Sequence, residues 1–159
     1  MENRAKVFIA PHFYDRLEQN YTISNIKGKT MLIKFSTKKT VPEVVVALTL
    51  AVPGHHFSII QVHDIQQLMT KHGVQFARQC FVFEVGRIQQ DGKDPEQNVS
   101  IFTALPCRIF VYAEDDKTVL ATLKPTTLLA AMFDVPQLPK ADQEVEDSII
   151  AIMKQATGG

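Results

Sequence analysis

Leu105-Pro-Cys-Arg-Ile-Phe-Val-Tyr-Ala-Glu-Asp-Asp-Lys-Thr-Val-Leu-Ala-Thr-Leu123 is the stretch on which the fold turns. Arg108 to Ala113 and Thr118 to Leu123 are short runs rich in β-branched and aromatic residues, which reads as two strands. Glu114-Asp115-Asp116 between them supplies the short polar side chains that favour a tight reversal. Ile101 to Leu105 is a third strand candidate just upstream. Strands this close in sequence pair antiparallel, because a parallel pair needs a long crossover. The region is therefore expected to be an antiparallel meander.

Upstream, Met31, Ile33 and Phe35 alternate with Leu32 and Lys34, the period-two pattern of a strand with one buried face. Thr40-Val-Pro-Glu43 has the form of a capping box with proline in the first turn. Val41, Val44, Val45, Leu48 and Val52 follow on one helical face, and Pro53-Gly54 is the expected stop. Phe57 to His63 reads as a second strand, with Asp64 placed to cap a short helix whose apolar face is Ile65, Leu68 and Met69. Gly73 is the expected terminator, with Lys71 and His72 at the negative end of the helix dipole. Cys80 to Val85 is a third strand, and the polar run from Arg87 to Asn98, which includes Gly92 and Pro95, reads as a loop. Downstream, Thr127 to Phe133 is a short apolar helix. Val145, Ile149, Ile152 and Met153 then form a helical stripe opposite Asp142, Glu144, Glu146 and Asp147. Helices and strands do not alternate regularly, so the expected class is α+β: two layers, with a mostly antiparallel sheet packed against helices. Residues 26–159 form one domain in this reading. Residues 1–25 are an extension that a strand, a lid or a dimer arm would each explain.

A chain of 159 residues can bury about 70% of the surface it exposes when unfolded, so a core needs neither metal nor disulfide. Lys+Arg and Asp+Glu both total 17, which leaves no net charge to hold a polyanion. The lysines at 27, 29, 34, 38 and 39 lack the interleaved aromatics on which single strands stack, so nucleic acid is not an expected partner. The apolar run from Val44 to Val52 is far too short to span a bilayer, and the N-terminus has no apolar core of a leader. No membrane association is expected, the expected location is the cytoplasm, and Cys80 and Cys107 are expected as free thiols there. In that compartment Asn98-Val-Ser100 is no glycosylation site.

Leu105-Pro-Cys-Arg108, running into Ile109-Phe-Val-Tyr112 and an acidic turn, resembles the domain-of-unknown-function family 302. Phe57 through Asp64 followed by Lys71-His-Gly-Val74, and Phe76 through Glu84, are similar to further stretches of that family. The resemblance covers about residues 30–133 and implies a compact α+β domain of TATA-binding-protein-like shape, often dimeric, with no established activity. The chain departs from the family at Val85-Gly-Arg87, where the family carries Cys-Asn-Pro. That departure puts in doubt any family chemistry needing paired thiols.

The candidate ligand-binding residues are His63, Asp64, Glu84, Cys107 and Arg108. They fall at strand ends or within the matched motifs. Arg108 could clamp a carboxylate while Asp64 or Glu84 acts as a base. The bland reading of the same residues makes Asp64 a helix cap, Arg108 and Glu84 a cross-strand ion pair, and His63 a half-buried strand residue. Cys107 as a nucleophile would need a lowered pKa and a base, for which His63 is the family-matched candidate; the alternative is a small buried residue at a strand start. His12, His55, His56, His63, His72, Cys80 and Cys107 show none of the ligand spacings of zinc sites, so no metal is expected. The Gly-rich and nucleophile-elbow motifs of nucleotide cofactors and serine hydrolysis are absent, so no cofactor is expected. The leading expectation is a cytoplasmic binding or sensing module, working as a homodimer, for a small ligand or a partner protein near Arg108. Its rivals are an enzyme of unknown reaction using His63 with Asp64 or Cys107, and a structural homodimeric domain pairing through a strand edge or the C-terminal amphipathic helix.

Overall fold

The computed structural model of the chain describes residues 31–87, 106–128 and 140–159, with residues 140–142 given by backbone alone. The expectations for residues 1–25, His12, the polar loop beyond Arg87, the strand at 101–105 and the helix beyond Leu128 lie outside the described residues. Five strands form one antiparallel sheet in the spatial order β1-β5-β4-β3-β2. They are β1 (Leu32–Thr37), β2 (Ser58–Asp64), β3 (Cys80–Gly86), β4 (Cys107–Glu114) and β5 (Lys117–Leu123). Helix α1 (Val41–Gly54) joins β1 to β2, the short α2 (Ile65–Lys71) joins β2 to β3, and α3 (Lys140–Thr157) follows the sheet. This is the α+β class expected from the sequence.

The hairpin that anchors the reading is present: β4 and β5 pair from Phe110↔Ala121 to Glu114↔Lys117, and Asp115 in the turn takes φ 51°, the left-handed region that short Asp side chains tolerate. Side chains alternate across a strand, so the registers sort each strand's residues to two faces. One face carries Phe83, Val85, Cys107, Ile109, Val111 and Leu120 and packs against Val44, Leu48 and Val52 of α1 and Ile149, Ile152 and Met153 of α3. Removing such fully buried side chains from water contributes about 1.5–3 kcal/mol each, so the α1 and α3 stripes fasten both helices to this face. Cys80 lies on the opposite face from Val85, as the offset of five requires.

Thr40 forms the expected capping box: its Oγ1 accepts from Glu43 N–H at 3.4 Å while Glu43 Oε2 accepts from Thr40 N–H at 2.6 Å. The carbonyls at the C-terminal end of α3 are satisfied by the end of β1. Lys39 Nζ donates to Ala156 O and Thr37 Oγ1 to Thr157 O, each at 3.1 Å.

Helix α1 ends at Pro53-Gly54 as expected, with Pro53 in its last turn. Two local expectations need correction. Helix α2 exists and is capped by Asp64, but none of its residues is buried, so its apolar positions do not form a core face. Glu146 does not join the polar stripe of α3. It is buried and accepts from both the backbone N–H and the hydroxyl of Thr126, at the start of the helical turn at 125–128.

Candidate functional site

The face turned away from α1 and α3, here the far face, carries the alternate residues of every strand. On β4, the middle strand, these are Arg108, Phe110 and Tyr112; β3 contributes Glu84, Val82 and Cys80 opposite them. On the other flank β5 sets Ala121 opposite Phe110 and Val119 opposite Tyr112, with Leu123 one pair further along. Beyond β5, Leu32, Lys34 and Ser36 of β1 complete the surface. The small side chains Val82, Val119 and Ala121 are buried, whereas Phe110 is 39% and Leu123 40% exposed.

Glu84 and Arg108 are directly opposite on β3 and β4, and Arg108 Nε donates to Glu84 Oε1 at 3.1 Å. The same oxygen lies 3.6 Å from His63 Nε2 on β2, so Glu84 sits between an arginine and a histidine that becomes an ion-pair partner when protonated. Glu84 is the least exposed of the three and Arg108 the most, with 61% of its side chain open to solvent. At such exposure the pair contributes at most about 1 kcal/mol to stability.

The five candidate residues therefore do not form one constellation. His63, Glu84 and Arg108 meet on the far face. Asp64 is directed elsewhere: its Oδ1 accepts from Gln67 N–H at 2.9 Å and caps α2. Cys107 points into the helix-packed core beside Val85. Burial alone pushes its thiol up to about 11, so it is neither thiolate nor within reach of His63, which lies across the sheet. Adjacent positions 107 and 108 face opposite sides of one strand, and this alone separates the expected nucleophile from the expected clamp. Cys80 lies on the far face, and its thiol is also raised, chiefly by burial, with Arg78 acting against the shift and Asp64 adding to it.

His55 and His56 occupy the turn after α1, where His56 takes φ 60° and His55 Nε2 lies 2.9 Å from Gln155 Oε1 on α3. Among the described residues, His, Cys, Asp and Glu side chains nowhere gather in threes that could hold a metal ion, and no described helix is long and apolar enough to cross a membrane. A groove of ≈ 850 Å³ runs beside the β2–α2 junction and borders His63 and Asp64 but not Glu84 or Arg108. Sequence reasoning missed Phe110, Leu123 and this groove as surface features. Phe110 was in reach, since it shares the parity of the polar Arg108 on a strand whose other parity reads Cys-Ile-Val.

Compared with known families, residues 33–156 match the family described as Domain of unknown function DUF302. Among solved structures the fold is similar to that of the uncharacterized conserved protein DUF302 from Bacillus stearothermophilus, at 19% identity and a TM-score of 0.68 over 79% of this chain and 98% of that one. No curated protein matches. The chain belongs to the DUF302 family, and the structural likeness shows a shared fold. At the departure noted in the sequence, Val85 is fully buried in the core, so this position packs the helix layer.

Proposed function

We propose that this chain is a small cytoplasmic binding module that takes a protein partner on the far face of its sheet. The observation that carries the reading is Phe110 and Leu123, two large apolar side chains left about two-fifths exposed beside Arg108, around the buried small residues Val82, Val119 and Ala121. An aromatic and an arginine rising from a flat, dry centre is the composition of an interface hot spot. A small ligand is less well served, since the groove that borders His63 does not reach Glu84 or Arg108 and ligand sites are concave.

A second copy of the chain is the partner favoured first. A twofold interface sets one patch against itself, and a face bearing Glu84 and Arg108 side by side is self-complementary in charge. The C-terminal helix is not free for that purpose, because Ile149, Ile152, Met153 and Ala156 are fully buried in the core. The enzyme reading loses its geometry, with His63, Asp64 and Cys107 in three separate environments.

Sedimentation velocity across a dilution series tests the reading. Wild type is expected to dimerise and the Phe110→Glu and Arg108→Glu variants to remain folded monomers. Dimers that persist in both variants, or a wild type that is monomeric at every concentration and binds no protein through this face, would overturn it.

A further inference from the structure

We infer that His63 makes association through the far face depend on pH: when its imidazole is protonated, Glu84 is drawn into a second ion pair within its own chain and the face gains positive charge, so that two copies separate. The inference rests on the far-face reading proposed above and adds the regulation of that surface.

His63 is the only histidine on any of the described strands. It faces Val82 across the β2–β3 ladder, with Glu84 and Cys80 diagonal to it on the same face. Its Nε2 lies 3.6 Å from Glu84 Oε1, the oxygen that already accepts from Arg108 Nε at 3.1 Å. At that separation a neutral ring makes no effective hydrogen bond, whereas an imidazolium is an ion-pair partner. The charge of His63 therefore decides whether Glu84 has one cationic neighbour or two. Glu84 is only 19% exposed, so the attraction is incompletely screened, and the His63 side chain at 40% is open enough to exchange protons with solvent.

The other ionisable groups around His63 do not oppose this change. Asp64 and Lys71, which line the groove beside it, have opposite charges, and Asp64 is engaged at the α2 cap. Burial raises the Cys80 thiol, with Arg78 acting against the shift, so Cys80 stays neutral where imidazole titrates. On the rest of the far face Arg108 is balanced by Glu84, and Lys117 by Glu114 opposite it on the hairpin, while Lys34 on β1 has no acidic neighbour across the ladder. A proton on His63 thus adds to a positive surplus. A twofold interface repeats every change of charge on both sides. Two protonated copies oppose like charges, and the carboxylate that the arginine of a second copy would approach is held by two cations of its own chain. Both effects weaken association as pH falls.

Sedimentation velocity of the full chain across a dilution series, at about pH 8 and about pH 6 on either side of the imidazole range, tests the inference. On the lower side the dimer Kd of wild type is expected to rise at least about fivefold, or ~1 kcal/mol. In His63→Gln the two values should agree within about twofold, and His63→Lys, charged at both pH values, should associate weakly at both. Circular dichroism at each pH establishes that the variants are folded. A wild-type dimer equally tight or tighter on the acid side would overturn the inference and leave the far-face reading standing. So would a pH dependence that survives His63→Gln, or a His63→Lys dimer as tight as wild type on the alkaline side. A wild type that is monomeric throughout, or dimers that persist in Phe110→Glu, would overturn both.

Discussion

Replacing Glu146 tests how far the helix layer relies on one buried carboxylate. Its side chain is 4% exposed; Oε2 accepts from Thr126 N–H at 3.1 Å and from the Thr126 hydroxyl, and Oε1 lies 3.5 Å from Lys124 Nζ. Thr126 opens the helical turn at 125–128, so its N–H belongs to the first-turn donors that have no acceptor within their own helix. Glu146 thus acts as a cap supplied by α3 to a segment twenty residues away in sequence. A hydrogen bond to a charged acceptor contributes about 1.5–3 kcal/mol. Lys124 remains half-exposed and can rehydrate, so its pairing adds less than about 1 kcal/mol. Glu146→Ala, which strands both Thr126 donors, is expected to cost about 2–4 kcal/mol, or roughly 5–12 °C in Tm for a chain of this size. Glu146→Gln keeps an acceptor of the same shape and should cost only about 1–2 kcal/mol. Urea unfolding followed by circular dichroism would show a lower midpoint at unchanged slope. A loss below about 0.5 kcal/mol for the alanine variant, or equal losses for both variants, would refute the capping role.

Cys107 makes a prediction at alkaline pH. Its thiol is held at about 11 in the fold against an ordinary 9.0, so between those values the unfolded chain releases a proton that the folded chain keeps. Stability from this group is complete below the lower value and is lost as pH rises through the upper one, about 2–3 kcal/mol in all. Cys107→Ala should flatten that part of the pH profile relative to wild type, and an unchanged slope would show the thiol to be open to solvent. At neutral pH iodoacetamide should leave Cys107 unmodified in the native protein. Thr40→Ala removes the α1 capping box and should cost about 1 kcal/mol, read by urea unfolding; an unchanged midpoint would count against the box. A double-mutant cycle on Arg108 and Glu84 should return a coupling of about 0.2–1 kcal/mol, and more than about 2 kcal/mol would mean the pair is structural and not available to a partner.

The elements were legible where a local signal and the tertiary outcome agree. The capping box at Thr40, the stripe Val41-Val44-Leu48-Val52 and the acidic turn at 114–116 each reflect short-range physics that packing does not override. What failed to read was burial. Strand β5 is buried from Thr118 to Thr122 without alternation, and it lies inside the sheet between β1 and β4. Its position in the sheet is a property of pairing partners and leaves no period in its own sequence. Glu146 failed for the same reason in reverse. Spacing alone puts a residue three before Ile149 on the buried side of α3, but a glutamate there reads as solvent-facing by its charge until a donor from a distant segment is known to sit over it.

The candidate residues illustrate how strand parity governs function in a two-layer fold. The Leu-Pro-Cys-Arg motif looks like one site because its residues are adjacent in sequence, yet adjacency on a strand is the arrangement that sends two side chains to opposite layers. Cys107 is therefore committed to packing with Ile109 and Val111, and Arg108 to the surface with Phe110 and Tyr112. The ion pair with Glu84 could be foreseen as a cross-strand pair, but its partner residues on the far face could not, since they come from β1, β3 and β5 and meet only through the register. A core thiol can be removed at a stability cost without touching recognition, whereas Arg108 and Phe110 can be changed at little stability cost. If the far face is the binding surface, the two classes of substitution must separate: Cys107→Ala lowers the unfolding midpoint and leaves association intact, and Phe110→Glu does the reverse.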